Sequence, residues 1–256
     1  MKKLFTLFLG LWMINAVFAE CASGNLIAFP QNEKVSQNSL FMIEGYMLYQ
    51  DIVQFLGNKY PVYLKSEQEK IPLQVVEYCK GEYDLEQVIL KPQRLPKAGV
   101  TYVLFVDNLP EYLNTYENGK RLKNRRLNTY YILNEQDTKK PTLSGIPKFM
   151  KSIFEQYGCG NDVYAIFSNS AKDDDSEIWV KTTVKNLDTG EVMQYYIKPF
   201  NGKLYVGNGM CSGAFNFGDS KQFSVVFSFM DSSGNVSDAN IEPVIFENPI
   251  YHKKSK

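Results

Sequence analysis

The chain has 256 residues, and its 28 lysines and arginines balance its 28 aspartates and glutamates, which gives a formal net charge of zero. A neutral chain lacks the positive field that nucleic-acid binding requires. The single histidine, His252, excludes Ser-His-Asp and Cys-His catalysis and metal sites rich in histidine.

The N-terminal segment, residues 1–19, predicts a secretory signal peptide. Two lysines precede an uncharged apolar run, and Val17 and Ala19 occupy the −3 and −1 positions of a cleavage site. The run is short for a membrane span of about 20 residues. Lipidation at Cys21 is disfavoured because the preceding residue, Glu20, is neither small nor neutral. We therefore expect export to the periplasm or cell surface, with no transmembrane span in the mature chain.

The first half of the mature chain alternates short apolar runs with turn residues. Aromatic and β-branched residues dominate the runs, and glycine, asparagine, aspartate and proline separate them, as is typical of β-sandwiches. The segment from Glu111 to Leu133 is less regular, and we interpret it as an excursion followed by a closing strand, NTYYIL. The candidate strands before it are GNLIAFP, SLFMIEGYM, YPVYLKS, IPLQVVEYC, EQVILKP and TYVLFVD.

A polar stretch, NEQDTKKPTLSGIP, separates this half from the next. Pro141 blocks the continuation of a strand there. We predict two domains, residues 20–137 and 138–250, followed by a basic tail, residues 251–256. So short a linker, with few glycines, is expected to leave the domains end to end with limited freedom.

The second half repeats the strand pattern and adds two hairpin signals. Asp188 to Gly190 and the pair Asn201-Gly202 are turn sequences between apolar runs. In EIWVKTTVKN, the alternation places Trp179 on one face and Val180 on the other. The candidate strands are DVYAIFSN, EIWVKTTVKN, EVMQYYIKP, GKLYVGN, FSVVFSFM and EPVIFEN.

Four cysteines allow three disulfide connectivities in an oxidising compartment. Because one pair falls in each half, we predict the bridges Cys21–Cys79 and Cys159–Cys211. Each bridge would stabilise the fold by about 4 kcal/mol in the chain-entropy model. No CxxC motif is present, so neither a zinc ribbon nor a redox motif of that type is indicated.

Three stretches resemble bacterial immunoglobulin-like domains of surface and adhesion proteins. IAFPQNEKVSQNSLFMIEGYM is similar to the opening of such a domain, with Pro30, Val35 and Asn38 before the first core strand. VILKPQRLPKAGVTYVLFV resembles its later part, and FSFMDSSGNVSD resembles a turn of immunoglobulin-like and fibronectin-III-like modules. The resemblance implies an all-β fold of two immunoglobulin-like sandwiches in tandem. It supplies no shared catalytic residue and no cofactor.

The turn sequence DSSGNVSD has three interpretations. As a turn, Asp231 caps it through its carboxylate, and Gly234 and Asn235 tolerate positive φ. As a calcium loop, it lacks the regular ligand spacing and the distal glutamate of an EF-hand. As a glycan site, Asn235 opens a formal Asn-Val-Ser sequon. We favour the turn, predict no metal site, and expect that the protein does not need calcium to fold.

Two charged stretches are candidates for binding. NSAKDDDSEIW carries adjacent carboxylates, and KRLKNRRL carries five basic residues that could dock an acidic partner, with a tyrosine shortly after it. For both stretches we favour the simpler interpretation, a solvated loop tip for the first and a solvated strand or loop face for the second. The candidate ligand face consists of Arg121, Arg125, Arg126, Tyr130, Asp173, Asp174 and Asp175.

The sequence favours a non-enzymatic protein that acts in binding, adhesion or envelope structure. Its partner would be a protein or a glycan of the cell envelope. The alternative is an exported hydrolase that uses carboxylates, or an accessory, carbohydrate-binding subunit of one. A cleft lined by paired carboxylates would favour the hydrolase.

Overall fold

The computed structural model describes residues 21, 24–113, 115–117, 120–122, 124–239 and 242–252. The predicted signal peptide and most of the basic tail lie outside these residues. Strands dominate the described chain, which confirms the all-β prediction. Within the described ranges, no helix is long and apolar enough to cross a membrane.

The first half forms one eight-stranded sheet, in the order β1-β3-β6-β5-β4-β7-β10-β2, and a separate two-stranded ribbon of β8 and β9. A short helix, α1 (Gln50–Gln54), packs against β3 and β6. The segment from Glu111 to Leu133 was predicted to leave the sheet and return as a closing strand. This is confirmed, since the ribbon is followed by β10. The strands are β1 Leu26–Phe29, β2 Lys34–Val35, β3 Phe41–Tyr46, β4 Val62–Lys65, β5 Lys70–Lys80, β6 Leu85–Pro92, β7 Thr101–Asp107, β8 Thr115–Glu117, β9 Lys120–Leu122 and β10 Asn124–Ile132.

Strand β5 changes partners along its length. Its first residues, 70–72, pair with β4, and the rest pairs with β6, with a register shift between Val75 and Glu77. A bulge of this kind bends a strand and increases its twist. The eight strands therefore enclose one apolar core, to which Phe41, Leu64 and Tyr130 contribute.

The second half contains a three-stranded sheet, β12-β13-β17, a four-stranded sheet, β16-β15-β18-β19, and a small pair, β11-β14. Aromatic side chains from both larger sheets form one core, in which Phe167 and Phe227 lie 5.2 Å apart in an edge-to-face arrangement. The elements are β11 Thr142–Leu143, β12 Phe149–Tyr157, β13 Gly160–Ser168, β14 Ala171–Lys172, β15 Ile178–Asn186, β16 Val192–Ile197, β17 Lys203–Asn208, β18 Gln222–Asp231, β19 Val244–Glu247 and α2 Pro249–His252.

A third apolar cluster joins the two halves. Phe29, Met42 and Ile89 from the first half pack with Trp179 and Tyr196 from the second. The halves are therefore in lateral contact as well as joined through the linker. The division into domains at residues 137 and 138 stays a prediction.

Strand β15 is buried on both faces where it passes between the halves. The predicted alternation is present, but Trp179 and Val180 are both fully buried. Val180 packs in the core of the second half, and Trp179 packs in the cluster between the halves. An alternating pattern alone therefore does not distinguish this strand from one with a solvated face.

The predicted disulfide pairing is wrong. Cys21 is bonded to Cys211, with their Cα atoms 5.6 Å apart, and Cys79 and Cys159 are free thiols. Cys79 is buried in the cluster between the halves. Pairing cysteines by half of the chain fails because Cys21 lies beside the loop after β17, 190 residues away in sequence.

Candidate functional site

A cleft of about 410 Å³ lies between the two halves of the chain. Glu44 and Tyr46 of the first half line one side, and the other side comes from β13, β16, β17 and the loop that carries Cys211. Five tyrosines line this cleft, which we call the tyrosine cleft: Tyr46, Tyr164, Tyr195, Tyr196 and Tyr205.

Strand register places two of these tyrosines together. Tyr164 of β13 lies opposite Gly207 of β17, and Tyr205 lies opposite Ile166. Successive residues of a strand point to opposite faces, so these rings point away from the core that holds Val163 and Phe167. Gly207 has φ 139°, and a side chain there would collide with the backbone of β13.

The rings continue as a row from the cleft to the surface. The centroids of Tyr164 and Tyr205 lie 5.7 Å apart with perpendicular planes, and Phe200 lies 6.3 Å from Tyr205. Phe200 is 64% exposed. We call Tyr164, Tyr205 and Phe200 the aromatic row. It offers a ligand flat apolar surface together with phenolic hydroxyl groups.

A buried carboxylate forms the polar side of the cleft. Glu44 accepts hydrogen bonds from Tyr46 Oη at 2.7 Å, from Gln87 Nε2 at 2.7 Å and from Lys198 Nζ. Gln87 is held in turn by the backbone N–H and carbonyl of Tyr196. The charges of Glu44 and Lys198 compensate each other, so this side of the cleft is polar but nearly neutral.

The hydroxyl groups of Tyr46 and Tyr164 stay protonated at physiological pH. Burial raises the pKa of Tyr164 to about 12, with a further contribution from the negative charge of Asp162. Burial and Glu44 raise the pKa of Tyr46 well above its usual value of 10.0. The cleft therefore presents neutral hydroxyl donors and aromatic faces. These groups suit an uncharged polar ligand rather than a proton-transfer step at neutral pH.

A second constellation joins three aspartates that are distant in sequence. Asp137 comes from the linker, Asp173 from the acidic loop and Asp231 from the DSSG turn, and one carboxylate oxygen of each lies within 4.8 Å of the others. We call this group the aspartate cluster. In the sequence, the acidic loop and the turn are separate features, and only the tertiary structure brings them together.

Hydrogen bonds within the protein satisfy much of the aspartate cluster. Asp231 accepts from the backbone N–H groups of Ser233 and Asn235 and from the Asn235 amide. Asp137 accepts from Ser176 Oγ at 2.5 Å. The prediction that DSSGNVSD forms a turn capped by Asp231 is confirmed, and Gly234 has φ 86° as expected. The carboxylate oxygens are of the kind that calcium prefers.

The cluster makes stability depend on pH. Burial raises the pKa of Asp231 above 3.8, the nearby charge of Asp137 adds to this, and hydrogen bonds from Asn235 and Ser233 oppose it. The folded state thus holds the proton more tightly than the unfolded chain. The stability that protonated Asp231 contributes is fully present below pH 3.8 and is lost as the pH rises through the raised pKa.

We expect calcium to change the stability of the chain little, because the three carboxylates already accept hydrogen bonds from the protein. A weak site, at a calcium concentration equal to its Kd, adds only about 0.4 kcal/mol. Melting midpoints with excess calcium and with chelator should therefore agree within about 2 °C. A rise of about 10 °C that disappears in Asp137→Asn would contradict this and show a structural cation site.

The predicted ligand face is not one surface. Tyr130 is buried, packs against Phe41 and donates to the Pro30 carbonyl, so its assignment to an exposed face is wrong. Arg125 stacks on the Tyr49 ring, whereas Asp173 belongs to the aspartate cluster. Arg126 is hydrogen-bonded to Thr129, and Asp175 forms an ion pair with Lys139. Asp174 is exposed, and the side chain of Arg121 lies outside the described residues.

Sequence reasoning missed the tyrosine cleft. The alternation in DVYAIFSN and GKLYVGN does place Tyr164 and Tyr205 on the face opposite the apolar residues. Tyrosine is also a favoured strand residue, so that signal did not separate a binding face from an ordinary strand surface.

No family model matches the chain, and no curated protein matches it. A pullulanase from Anoxybacillus sp. LM18-11 complexed with maltotriose is 9% identical, with a TM-score of 0.26, over 81% of this chain and 24% of that chain. A type I pullulanase from Bacillus subtilis complexed with maltose is 10% identical, with a TM-score of 0.25, over 90% of this chain and 25% of that chain.

A DUF4785 family protein from Legionella pneumophila is 11% identical, with a TM-score of 0.26, over 88% of this chain and 58% of that chain. This chain therefore spans less than two thirds of the length of each of these three proteins. Likenesses this distant carry no argument about function. The immunoglobulin-like resemblance stays a prediction.

Proposed function

We propose that this chain is an exported binding protein of the cell envelope that holds a neutral glycan in the tyrosine cleft. The observation that carries the proposal is the aromatic row, which runs from exposed Phe200 through Tyr205 to Tyr164 inside the cleft. Sugar rings carry apolar C–H faces and a rim of hydroxyl groups. Aromatic faces with polar tips complement both parts of such a ligand.

The charge of the cleft selects the ligand class. Among the residues described by the structure, two charged side chains line it, Glu44 and Lys198, and these are bonded to each other. An anionic ligand would need a cation that is not already paired, and a cationic ligand would need such a carboxylate. A neutral ligand rich in hydroxyl groups needs neither. The protonated hydroxyl of Tyr164 supplies a donor and an acceptor for it, and the Tyr46 hydroxyl, which donates to Glu44, supplies an acceptor.

The geometry favours binding over hydrolysis. Glycoside hydrolysis in most families requires two carboxyl groups about 5–9.5 Å apart on either side of the scissile bond. Glu44 is the single carboxylate among the described residues that line the cleft, and its oxygens already accept three hydrogen bonds. An accessory, carbohydrate-binding role uses the same cleft chemistry as the proposed function.

Binding to a panel of neutral oligosaccharides, measured by titration calorimetry, tests the proposal. Tyr205→Ala should weaken binding about tenfold, because an aromatic contact contributes about 0.5–1.5 kcal/mol beyond its buried area and 1.4 kcal/mol is tenfold. Tyr112→Ala is the matched control, since Tyr112 is 65% exposed and lies outside the cleft. Absence of binding to every sugar, or an equal loss in the control, would overturn the proposal.

Export is tested separately by fractionating cells that express the full chain. We expect a mature form that begins at Glu20 and is found in the periplasm or at the cell surface, because the N-terminal segment has the pattern of a signal peptide. A chain that keeps residues 1–19 and stays in the cytoplasm would refute export without bearing on sugar binding.

A further inference from the structure

Three sulfur atoms meet at one edge of the tyrosine cleft. The Sγ atoms of Cys21, Cys159 and Cys211 all lie within 4.8 Å of one another. Cys21 and Cys211 form the disulfide, and Cys159, in the turn between β12 and β13, is a half-buried free thiol. An exported chain would thus keep a nucleophilic thiol directly beside a bond that thiols attack.

Tight backbone packing holds the thiol beside the bridge. Asp162 accepts a hydrogen bond from Met210 N–H at 2.7 Å, and Cys159 Sγ lies 3.3 Å from Met210 Sδ. A side chain in place of Gly160 would collide with the Met210 carbonyl. Since Met210 directly precedes Cys211, these contacts fix the turn against the loop that carries the bridge.

We propose that the three cysteines form a thiol–disulfide exchange site in which any two of them can pair. The Cys159 thiol loses its proton, and the thiolate attacks one sulfur of the Cys21–Cys211 bridge. A new bond joins Cys159 to the attacked sulfur while the bond between Cys21 and Cys211 breaks. Its electron pair goes to the departing sulfur, which takes up a proton. The step is an isomerisation, so it consumes neither oxidant nor reductant.

The exchange changes which segments of the chain the disulfide connects. Cys21 lies near the predicted mature N-terminus, and its bond to Cys211 ties that end of the chain to the loop lining the tyrosine cleft. When Cys159 takes over one half of the bridge, either Cys21 or Cys211 becomes the free thiol. Attack on Cys211 therefore frees the N-terminal end, and attack on Cys21 moves its attachment to the turn between β12 and β13.

The test is non-reducing peptide mapping of the mature chain after incubation at pH 8.5, acid quenching and alkylation of free thiols. Thiolate is the nucleophile, so exchange should be faster at pH 8.5 than at pH 6. We expect the alkyl label on Cys159 and also on Cys21 or Cys211. In Cys159→Ser the Cys21–Cys211 bridge should persist, and neither Cys21 nor Cys211 should carry the label. Absence of label from both Cys21 and Cys211 in the wild type would overturn the proposal.

Two single variants test whether any two of the cysteines can pair. After mild oxidation, Cys21→Ser should contain a Cys159–Cys211 bridge, and Cys211→Ser should contain a Cys21–Cys159 bridge. Free thiols at both remaining positions in either variant would contradict the proposal. Cys79→Ser is the control and should leave the distribution unchanged, because Cys79 is buried in the cluster between the halves and burial raises the pKa of its thiol to about 11.

Discussion

Replacing Trp179 with alanine is expected to lower the free energy of unfolding by about 3–5 kcal/mol, the usual range for removing a buried aromatic side chain. Trp179 is fully buried and packs with Met42, Ile89 and Tyr196 in the cluster between the halves. Its indole N–H also donates to Glu177. The loss combines the apolar area removed from the cluster with the cavity left behind, and denaturant unfolding followed by circular dichroism measures it.

Two further variants make this result interpretable. Trp179→Phe retains most of the packing and should cost clearly less than the alanine variant. Phe200→Ala removes an exposed aromatic ring and should change the stability by no more than about 0.5 kcal/mol. A loss below about 1 kcal/mol for Trp179→Ala would show that the cluster does not stabilise the fold. Trp179 is also the one tryptophan after the predicted signal peptide, so its fluorescence reports on this cluster in the other variants.

Replacing Glu44 with alanine is the second change with a large expected effect. Glu44 is buried and accepts hydrogen bonds from Tyr46, Gln87 and Lys198. Removing the carboxylate leaves three donors without this acceptor, and the charge of Lys198 loses its partner. Breaking a buried ion pair from one side costs about 3–5 kcal/mol. Thermal and denaturant unfolding at neutral pH should both show the loss.

A double-mutant cycle separates the ion pair from the packing around it. Glu44→Leu combined with Lys198→Met removes both charges, so the double variant should be more stable than Glu44→Leu alone. The coupling is expected to exceed about 1 kcal/mol, because the two side chains are in direct contact. If the stability losses of the two single variants add up to the loss of the double variant, the ion pair does not stabilise this side of the cleft.

Local chemistry in the sequence determined the strands and several turns. All thirteen runs interpreted as strands before and after the linker correspond to strands of the structure, because side-chain alternation is a property of the strand itself. Asn201 and Gly202 both have positive φ, as the two-residue hairpin signal predicted. Asp231 caps its turn through atoms within four residues of itself. None of these features depends on a distant part of the chain.

The sequence pattern did not predict one long strand, β12. Strand β12 lies at the edge of its sheet, pairs on one side with β13, and has only exposed or half-buried residues. The stretch FMKSIFEQY therefore has no clean apolar alternation. An edge strand owes its conformation to the hydrogen bonds of its neighbour, and a pattern of burial does not reveal these.

Every feature that brings distant residues together was decided by the tertiary structure. The Cys21–Cys211 bridge, the aspartate cluster and the tyrosine cleft each join segments that lie far apart in sequence. The two buried faces of β15 have the same origin, since Trp179 is covered by side chains from the first half. A single sequence records local preferences for strand and turn, whereas these contacts depend on how the two halves pack against each other.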